Sequence, residues 1–346
     1  MAVKRVGVIG LGMAAAPHAL SLADLKDRVE VAGVYSPSVE RRAAFGQRFG
    51  LPVVDRADGL FDDPSVDYLV LLTPPNTHLE LVQRAVNADK HVLLEKPLEV
   101  SLERSRQLVG IAEQAGIRLG VVLQRRFRKC ITELKAMLDR GELGEISSVS
   151  AKLSNWRPQT YYDEPGRGTL ARDGGGVLLT QAIHTIDQMI ALAGLPDQVA
   201  GLAVTSGVHR METEDLVHAM LRYPNGAIGT LSATTAAFPG FPDVIEIIGT
   251  TGTARLEGDC GQVFLMDGRT IELADEAGDG GTGADPMAFS HHNHRSVHTD
   301  FLDALDTGRP PKVSGVEALK AHLLIDAVLR SAREGQFVPC VPKKVA

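Results

Sequence analysis

A glycine-rich turn near the start of the chain narrows the choice of folds further than any other segment. Gly10, Gly12 and Ala15 directly follow the apolar run Val6 to Ile9, and a second apolar run, Val29 to Tyr35, comes later. Glycine at the first position of this motif makes a tight turn, and glycine at the second lets the backbone approach a phosphate. A small residue at the third position lets the helix pack closely against the strand. The pattern predicts a dinucleotide site at a helix N-terminus, the alternative being a plain turn. The residues predicted to surround the pyrophosphate are Gly10, Gly12, Met13 and Ala14.

Length and charge limit the architecture and the partners. At 346 residues the chain exceeds the usual size of one core, which predicts two domains, residues 1–125 and 126–346. A net charge of −7 argues against generic binding to nucleic acid or acidic membranes. The sequence has neither a membrane-length apolar run nor a secretory signal, and its three cysteines are far apart. We therefore expect a cytoplasmic protein without nucleic-acid or membrane partners.

Strand and helix patterns alternate over the first 125 residues, which predicts a parallel, doubly wound sheet. Ser101 and Gly116 are placed to start and end one of its helices. After residue 126 the pattern changes to one helix followed by period-2 runs joined by turns, which predicts a mainly antiparallel sheet. The predicted strands of the first part are Arg5 to Ile9, Val29 to Tyr35, Leu51 to Val54, Tyr68 to Leu72, His91 to Leu94 and Arg118 to Leu123.

The end of the chain combines a loop with two helices. Residues Ala274 to Asn293 are rich in Gly and Asp and are predicted to form a long loop, while helices are expected near Val297 to Asp306 and Val316 to Arg333. Histidines 291, 292, 294 and 298 cluster at the loop end. They lack a partnered carboxylate pattern, so we expect no metal and favour one of them reaching the active site.

Polar residues follow the predicted parallel strands at the edge where open α/β sheets bind ligands. The Lys96 ammonium could hold a substrate hydroxyl and stabilise the oxyanion that forms as hydride leaves, whereas the alternative is a surface lysine paired with Glu95. The loop at residues 73–78 could instead be a plain connection in which Asn76 or Thr77 caps a helix. The residues predicted here to contact the cofactor are Thr73, Pro74, Asn76, His78, Glu95, Lys96 and Gln124.

Three glycines, residues 174–176, precede an amphipathic helix that would place Thr180, His184 and Asp187 on one face. The glycines permit close approach of a ligand or of another chain segment. Imidazole suits proton transfer near neutral pH, so His184 is a candidate base, although a helical histidine can equally be a packing residue.

The order of these motifs carries a family resemblance over nearly the whole chain. GxGxxA, TPPNxH, EKP and GGG(x)7H, followed by DFLDAL and GRP near the end, resemble the glucose-fructose oxidoreductase/inositol dehydrogenase/MocA family. The resemblance implies a Rossmann domain and a C-terminal α/β domain whose open, mainly antiparallel sheet often forms an oligomer interface, hence a homodimer or homotetramer. It also implies that Lys96 and His184 flank the substrate opposite the nicotinamide.

One position departs from the family pattern. Thr180 stands where many members have aspartate, and a hydroxyl can orient a substrate but cannot act as a carboxylate base at pH 7. This leaves His184 as the preferred base. We hypothesise that His184 takes the carbinol proton, Lys96 stabilises the alkoxide and hydride passes to the nicotinamide.

The end of the second predicted strand bears on the choice of cofactor. A carboxylate that would bind a ribose 2′-OH is missing there, and Ser36 followed by Arg41 resembles the arrangement in NADP-using relatives. We therefore predict NADP in preference to NAD, with solvated helix arginines as the alternative.

Aromatic and basic residues before the triple glycine suggest a carbohydrate, or else an ordinary loop packed over the sheet. The candidate substrate contacts are Trp156, Arg157, Tyr161, Arg167 and Arg126, with Lys96, Thr180 and His184. The resemblance implies a pyranose, alditol, inositol or nucleotide-linked sugar, and a small aromatic dihydrodiol remains another possible substrate. Two further functions stay open: a redox-neutral, NAD-dependent glycosidase and a non-catalytic dinucleotide sensor, the latter having little need for Lys96 and His184.

Overall fold

The structure, a computed structural model, describes residues 2–274 and 290–341. Contacts divide the chain into one unit of Met1–Gln124 with Ser290–Leu319 and a second of Arg125–Phe289 with Lys320–Ala346. The first boundary lies next to the predicted one. The return of residues 290–319 to the first unit differs from the two continuous domains expected from sequence.

Strands and helices are numbered in chain order. The strands are β1 Lys4–Ile9, β2 Val29–Tyr35, β3 Tyr68–Leu71, β4 His91–Glu95, β5 Leu119–Val122, β6 Ile146–Ser154, β7 Gln198–Val204, β8 Leu216–Arg222, β9 Ile228–Thr234, β10 Val244–Gly249, β11 Gly252–Glu257, β12 Cys260–Leu265, β13 Thr270–Ala274 and β14 Val338–Pro339. The α-helices are α1 Ala15–Asp24, α2 Val39–Phe49, α3 Asp58–Asp62, α4 His78–Asn87, α5 Leu102–Ala115, α6 Lys129–Asp139, α7 Gln159–Tyr162, α8 Val177–Thr180, α9 Ile183–Ala193, α10 His292–Thr307 and α11 Gly315–Glu334.

The first unit contains a parallel sheet in the order β2-β1-β3-β4-β5, which confirms the predicted doubly wound fold. The prediction of a further strand at Leu51 to Val54 was wrong. Only Val53 forms a bridge, to Val34, through the bonds from the Val34 N–H to the Pro52 carbonyl and from the Val54 N–H to the Val34 carbonyl. Pro52 has no N–H with which to extend this pairing towards Leu51.

Local signals placed the helix ends of the first unit well. The Ser101 hydroxyl accepts the Arg104 N–H at the start of α5, and Gly116 ends that helix with φ +71°. Helix α10 packs on α1, and Val121 donates its N–H to the Val313 carbonyl beside β5. These contacts are the reason that residues 290–319 belong to this unit.

Helix α10 changes the interpretation of the histidine cluster. Residues 275–289, most of the predicted long loop, lie outside the described residues, but the chain is helical from His292. The helix begins five residues before the predicted start near Val297, so it includes His294 as well as His298, although we had expected the histidine cluster to lie on the loop. His294 and His298 share the buried stripe of Val297 and Phe301, because residues three and four apart lie on one helix face.

The second unit contains a sheet in the order β13-β12-β11-β10-β6-β9-β8-β7-β14. Its strand pairs are antiparallel except for β6 with β9, which confirms the prediction of a mainly antiparallel sheet. The strands β13 and β14 were not predicted. Helix α9 packs against β6, and alternate residues of β8 are buried. On the other side of the sheet Leu202, Met220 and Ile228 are exposed, and we call this side the open face. None of the helices in the described ranges has the length and apolarity needed to cross a membrane.

Candidate active site

The carboxyl ends of β1 to β5 lie at one edge of the first sheet because these strands are parallel. Ile9 pairs with both Tyr35 and Leu71, and Glu95 pairs with Val122, so the loops that follow are neighbours. The structure thus brings together at this edge the predicted residues Gly10, Gly12, Met13, Ala14, Ser36, Thr73, Pro74, Asn76, Glu95, Lys96 and Gln124.

The glycine turn fits a dinucleotide pyrophosphate. Gly10 has φ +101°, and a Cβ there would lie 2.6 Å from the Leu72 carbonyl carbon, so the turn requires glycine. A Cβ on Gly12 would meet no atom within 4 Å, which leaves space beside the turn. Helix α1 starts behind it without a side-chain cap on Ala14, and its first N–H groups suit an anion.

His78 connects two loops of the first unit. Its side chain is fully buried, with Nδ1 3.0 Å from the Pro97 carbonyl oxygen and Nε2 2.9 Å from that of Thr73. The ring therefore joins the loops after β3 and β4, and its predicted contact with the cofactor stays a prediction. The Thr77 hydroxyl lies 2.7 Å from that of Thr73 and does not cap α4, so the capping alternative does not hold for Thr77.

Glu95 connects Lys96 to the interior. Its Oε2 accepts the Lys96 backbone N–H at 2.9 Å, and its Oε1 lies 3.2 Å from Nε2 of the buried His18. Burial raises the pKa of Glu95, but the hydrogen bond from His18 and the nearby Lys96 charge oppose the rise, and the pKa lies below its usual value. Sequence reasoning missed His18, which lies on α1 one turn beyond the glycine motif.

Two adjacent arginines lie near the end of β2. Arg42 donates to the Ser36 carbonyl and pairs with Asp55 at 3.0 Å. Arg41 is exposed, and within the described residues its guanidinium has neither a hydrogen bond nor an ion pair. Arg41 is therefore the arginine available to a ligand, whereas Ser36 itself is almost completely buried.

In the second unit, the segment at Glu214 packs directly against the triple glycine. A Cβ on Gly176 would lie 1.8 Å from the Glu214 carbonyl oxygen. The Glu214 carboxylate accepts the N–H groups of Gly176 at 3.1 Å and Leu178 at 3.2 Å, and its carbonyl accepts that of Val177. Burial raises the pKa of Glu214, although these bonds oppose the rise. A chain segment, and not a ligand, thus occupies this position, and sequence reasoning missed it.

The helix after the glycines is interrupted, which corrects the single continuous helix predicted there. Helix α8 ends at Thr180 and α9 begins at Ile183, because the Ala182 N–H reaches back five residues to the Val177 carbonyl. The Thr180 hydroxyl donates to the Gly176 carbonyl at 2.7 Å. His184 follows in the first turn of α9 with 8% of its surface exposed.

The Arg126 side chain has a partner within the second unit. Its guanidinium is 5% exposed and binds both carboxylate oxygens of Asp187, with Nε 3.0 Å from Oδ2. This bidentate pair ties the segment after β5 to α9, and the predicted substrate contact of Arg126 stays a prediction.

The remaining substrate candidates form an aromatic patch within the second unit. The Trp156 ring meets the exposed Phe238 ring edge to face at 5.5 Å. Arg167 lies 4.3 Å above the Tyr161 ring and donates to its hydroxyl, and Arg157 donates to the Trp156 carbonyl. Rings with neighbouring guanidinium groups offer flat apolar faces and charge together, a combination suited to a sugar derivative.

Comparison with known families decides the assignment. Residues 4–123 match the model described as the oxidoreductase family, NAD-binding Rossmann fold, and residues 131–255 match the GFO/IDH/MocA C-terminal domain. Together these matches cover more than half of the chain. The chain belongs to the Gfo/Idh/MocA family. As a member it is an NAD(P)-dependent dehydrogenase.

Individual relatives agree with this assignment. The myo-inositol 2-dehydrogenase of Thermotoga maritima is 26% identical, over 96% of this chain and 98% of its own. The scyllo-inositol 2-dehydrogenase (NADP(+)) IolW of Bacillus subtilis is 26% identical over 63% of this chain and 60% of its own. The crystal structure of the WlbA dehydrogenase from Bordetella pertussis, in complex with NADH and UDP-GlcNAcA, has a TM-score of 0.84 at 28% identity, covering 99% of this chain and 100% of that one.

Proposed function

We propose that the protein transfers hydride between NADP and a carbinol or carbonyl carbon of a sugar, polyol or sugar derivative, with Lys96 and His184 acting on the reacting C–O group. The observation that carries the proposal is the fixed position of Lys96. Its backbone N–H is held by the buried Glu95 carboxylate at the edge where the Gly10 turn also lies. A cation at this point can stabilise the alkoxide that precedes hydride loss.

Each residue has a separate part in the oxidation direction. His184 accepts the hydroxyl proton, and Lys96 stabilises the resulting negative charge. The Thr180 hydroxyl faces two acceptors of its own chain, the Gly176 carbonyl and the Gln181 side-chain oxygen, and its one hydrogen goes to these. Its oxygen can therefore accept from a second substrate hydroxyl and thereby orient the ring. The nicotinamide, when bound, supplies the hydride acceptor.

Absorbance at 340 nm tests the proposal. The protein is mixed with NADP⁺ or NAD⁺ and a panel of aldoses, alditols, inositols, nucleotide sugars and a small aromatic dihydrodiol. We expect one class to give reduced cofactor, and His184→Ala to lower turnover by about two to four orders of magnitude. Lys96→Ala should abolish the signal, while Lys135→Ala, at an exposed lysine on α6, should keep it.

The outcome against the proposal is equally clear. Full turnover by the His184 variant would remove the base assignment. Substrate conversion without net accumulation of reduced cofactor would favour a redox-neutral glycosidase, and dinucleotide binding without any conversion of the panel would favour a sensor.

NADP preference is supported by Arg41, whose guanidinium is exposed beside the end of β2, and by the NADP(+) designation of the IolW relative. The WlbA structure holds NADH, so relatives differ in this respect. Dissociation constants for NADPH and NADH measured by fluorescence decide the point. NADH binding as tightly as NADPH would contradict the preference.

For the substrate contacts we propose Trp156, Tyr161, Arg157 and Arg167, in addition to Lys96, Thr180 and His184. Aromatic faces pack on a sugar ring, and guanidinium groups suit acidic or phosphorylated substituents. The UDP-GlcNAcA bound by the WlbA neighbour has both features. Arg167→Ala should therefore raise KM for an acidic nucleotide sugar more than for a neutral polyol.

We also propose a cytoplasmic homodimer or homotetramer built through the open face. Its exposed Leu202, Met220 and Ile228 form an apolar surface on three neighbouring strands. Light scattering should give a multiple of the 37.0 kDa chain mass, which Met220→Glu lowers. A monomeric parent protein would contradict this assembly.

A further inference from the structure

Three buried histidines meet Glu95 inside the first unit. Helix α1 contributes His18, α10 contributes His294 and His298, and β4 ends at Glu95. His18 and His298 are fully buried, and His294 and Glu95 are 3% and 9% exposed. His18 Nδ1 lies 2.9 Å from His298 Nε2, and His18 Nε2 lies 3.2 Å from Glu95 Oε1.

The chemistry of the partners fixes the direction of these hydrogen bonds. An ionised carboxylate only accepts, so His18 must donate from Nε2. With one ring hydrogen, placed on Nε2, His18 accepts at Nδ1, and His298 donates to it from Nε2. Burial keeps the pKa of His298 well below its usual value, so that ring is neutral, as this chain requires. The bonds therefore run from His298 to His18 to Glu95, whose second oxygen accepts the Lys96 N–H.

We propose that His18 and His298 are positioning residues that hold the Glu95 carboxylate in one orientation as the anionic neighbour of Lys96. The inference deepens the proposed function and rests on it, because it explains what holds the Glu95 carboxylate that binds the Lys96 backbone N–H. Neither histidine touches substrate in this account. Both act through Glu95.

Electrostatics gives the arrangement a measurable consequence. Within the described part of the chain, the titratable groups that face Glu95 are His18 from α1, His294 and His298 from α10, and Lys96 after its own strand. Without the His18 hydrogen bond, the burial of Glu95 is opposed less and its pKa rises. The carboxyl group then becomes neutral at a higher pH, and Lys96 loses its anionic neighbour there.

The same side chains have to be considered as a metal site. Potential ligand atoms of His18, Glu95 and His294 lie within 4.8 Å of one another. Bonds of about 2.1 Å in a tetrahedral zinc site need ligand atoms about 3.4 Å apart, so a metal would require this cluster to contract. His18 already directs each ring nitrogen at a protein partner. The hydrogen-bonded chain explains the cluster without that rearrangement.

Four variants of the full-length protein test the inference. His298→Leu removes the donor at similar volume, whereas His298→Gln keeps an N–H near the position of Nε2. His18→Gln tests the middle of the chain. His322→Leu is the matched control, since His322 is a buried histidine on α11 and 4% exposed. Steady-state kinetics is measured from pH 3.5 to 9, a range that includes the low pH at which Glu95 titrates, and ¹⁵N NMR of labelled histidines reports which ring nitrogen carries the proton.

We expect His298→Leu to lower kcat about tenfold, to leave KM for the cofactor within about twofold, and to move the acidic limb of the kcat profile up by about one pH unit. The acidic limb of the kcat profile should also move in His18→Gln if the glutamine amide fails to bind both Glu95 and His298. His298→Gln should recover most of the loss. In the parent protein the NMR spectra should show His18 and His298 protonated at Nε2.

Several outcomes would overturn the inference. These are an unmoved acidic limb in His298→Leu, an equal loss of kcat in His322→Leu, protonation at Nδ1 of either histidine, or one equivalent of bound metal by elemental analysis. The proposed function fails separately, through an inactive parent protein or a fully active Lys96→Ala. In that case the NMR spectra still decide whether the hydrogen-bonded chain exists.

Discussion

The two glycine loops of this protein look alike in sequence, yet they face different neighbours. Both precede a helix, and both suggest close approach of a ligand. In the first unit a Cβ on Gly12 would enter open space, whereas in the second a Cβ on Gly176 would enter the backbone of Glu214. The first loop leaves space for a dinucleotide, and the second is filled by its own chain. A glycine motif therefore predicts close approach, but the segment opposite decides what approaches.

The two loops differ in how far along the chain their contacting residues lie. The turn at Gly10 is built by residues that are consecutive with β1 and α1, so its local pattern contains most of its geometry. Glu214 reaches Gly176 from 38 positions away. Its carboxylate also accepts the Leu178 N–H at the start of α8, where a ligand anion could otherwise bind. The second loop thus supports the helices that lead to His184.

Alanine at each loop should separate these two functions. Gly176→Ala places a methyl group 1.8 Å from the Glu214 carbonyl oxygen, and the backbone must move. We expect a loss of about 3 kcal/mol or more in the free energy of unfolding, or failure to fold. Gly12→Ala meets no atom within 4 Å and should unfold at the same denaturant concentration as the parent.

Cofactor titration completes that comparison. Gly12→Ala should bind NADPH about tenfold more weakly, because the methyl group enters the space assigned to phosphate. Normal stability of Gly176→Ala would show that the Glu214 contact is not as close as described. Normal NADPH binding by Gly12→Ala would remove the pyrophosphate from this turn.

Local patterns predicted the parallel sheet, the ends of α5 and the changed architecture of the second unit. They did not show the distant partner of a single residue. Arg126 was predicted to bind substrate because it follows a strand at the ligand edge, but Asp187 takes its guanidinium. His78 was predicted to contact the cofactor, but the carbonyls of Thr73 and Pro97 take its ring nitrogens. In both cases the sequence shows the residue type and its place after a strand, but it does not show which distant group the side chain binds.

Removal of the Arg126 guanidinium tests the partner assignment directly. Arg126→Met leaves the buried Asp187 charge without its bidentate partner and should cost about 3 to 5 kcal/mol in chemical unfolding. KM for the sugar substrate, measured where the variant is folded, should stay within about twofold. The double variant with Asp187→Leu should recover part of the stability, because no unpaired charge remains. A large rise in KM at normal stability would restore Arg126 as a substrate contact.

The pH dependence of unfolding tests the Glu214 clamp. Burial raises the pKa of Glu214 in the folded protein, so the folded state binds this proton more tightly than the unfolded chain does. The resulting stabilisation is present below the unfolded value near 4.5 and is lost as pH rises through the folded pKa. Glu214→Gln should remove this contribution while losing one of the two backbone N–H acceptors, at a cost of about 1 kcal/mol at pH 7.5. Parallel stability curves for the two proteins from pH 4.5 to 8 would contradict the raised pKa.

The smallest expected effect concerns the other end of the first site, where two adjacent arginines differ in their contacts. Arg42 is bonded to the Ser36 carbonyl and to Asp55, whereas the Arg41 side chain is exposed on the same helix. If Arg41 binds the 2′-phosphate, Arg41→Ala should weaken NADPH about tenfold and leave NADH unchanged, since NADH lacks that phosphate. Arg42→Ala should weaken both cofactors alike by loosening the end of β2. An equal loss of affinity for NADPH and NADH in Arg41→Ala would mean that this arginine supports the fold. The NADP preference could then not be assigned to Arg41.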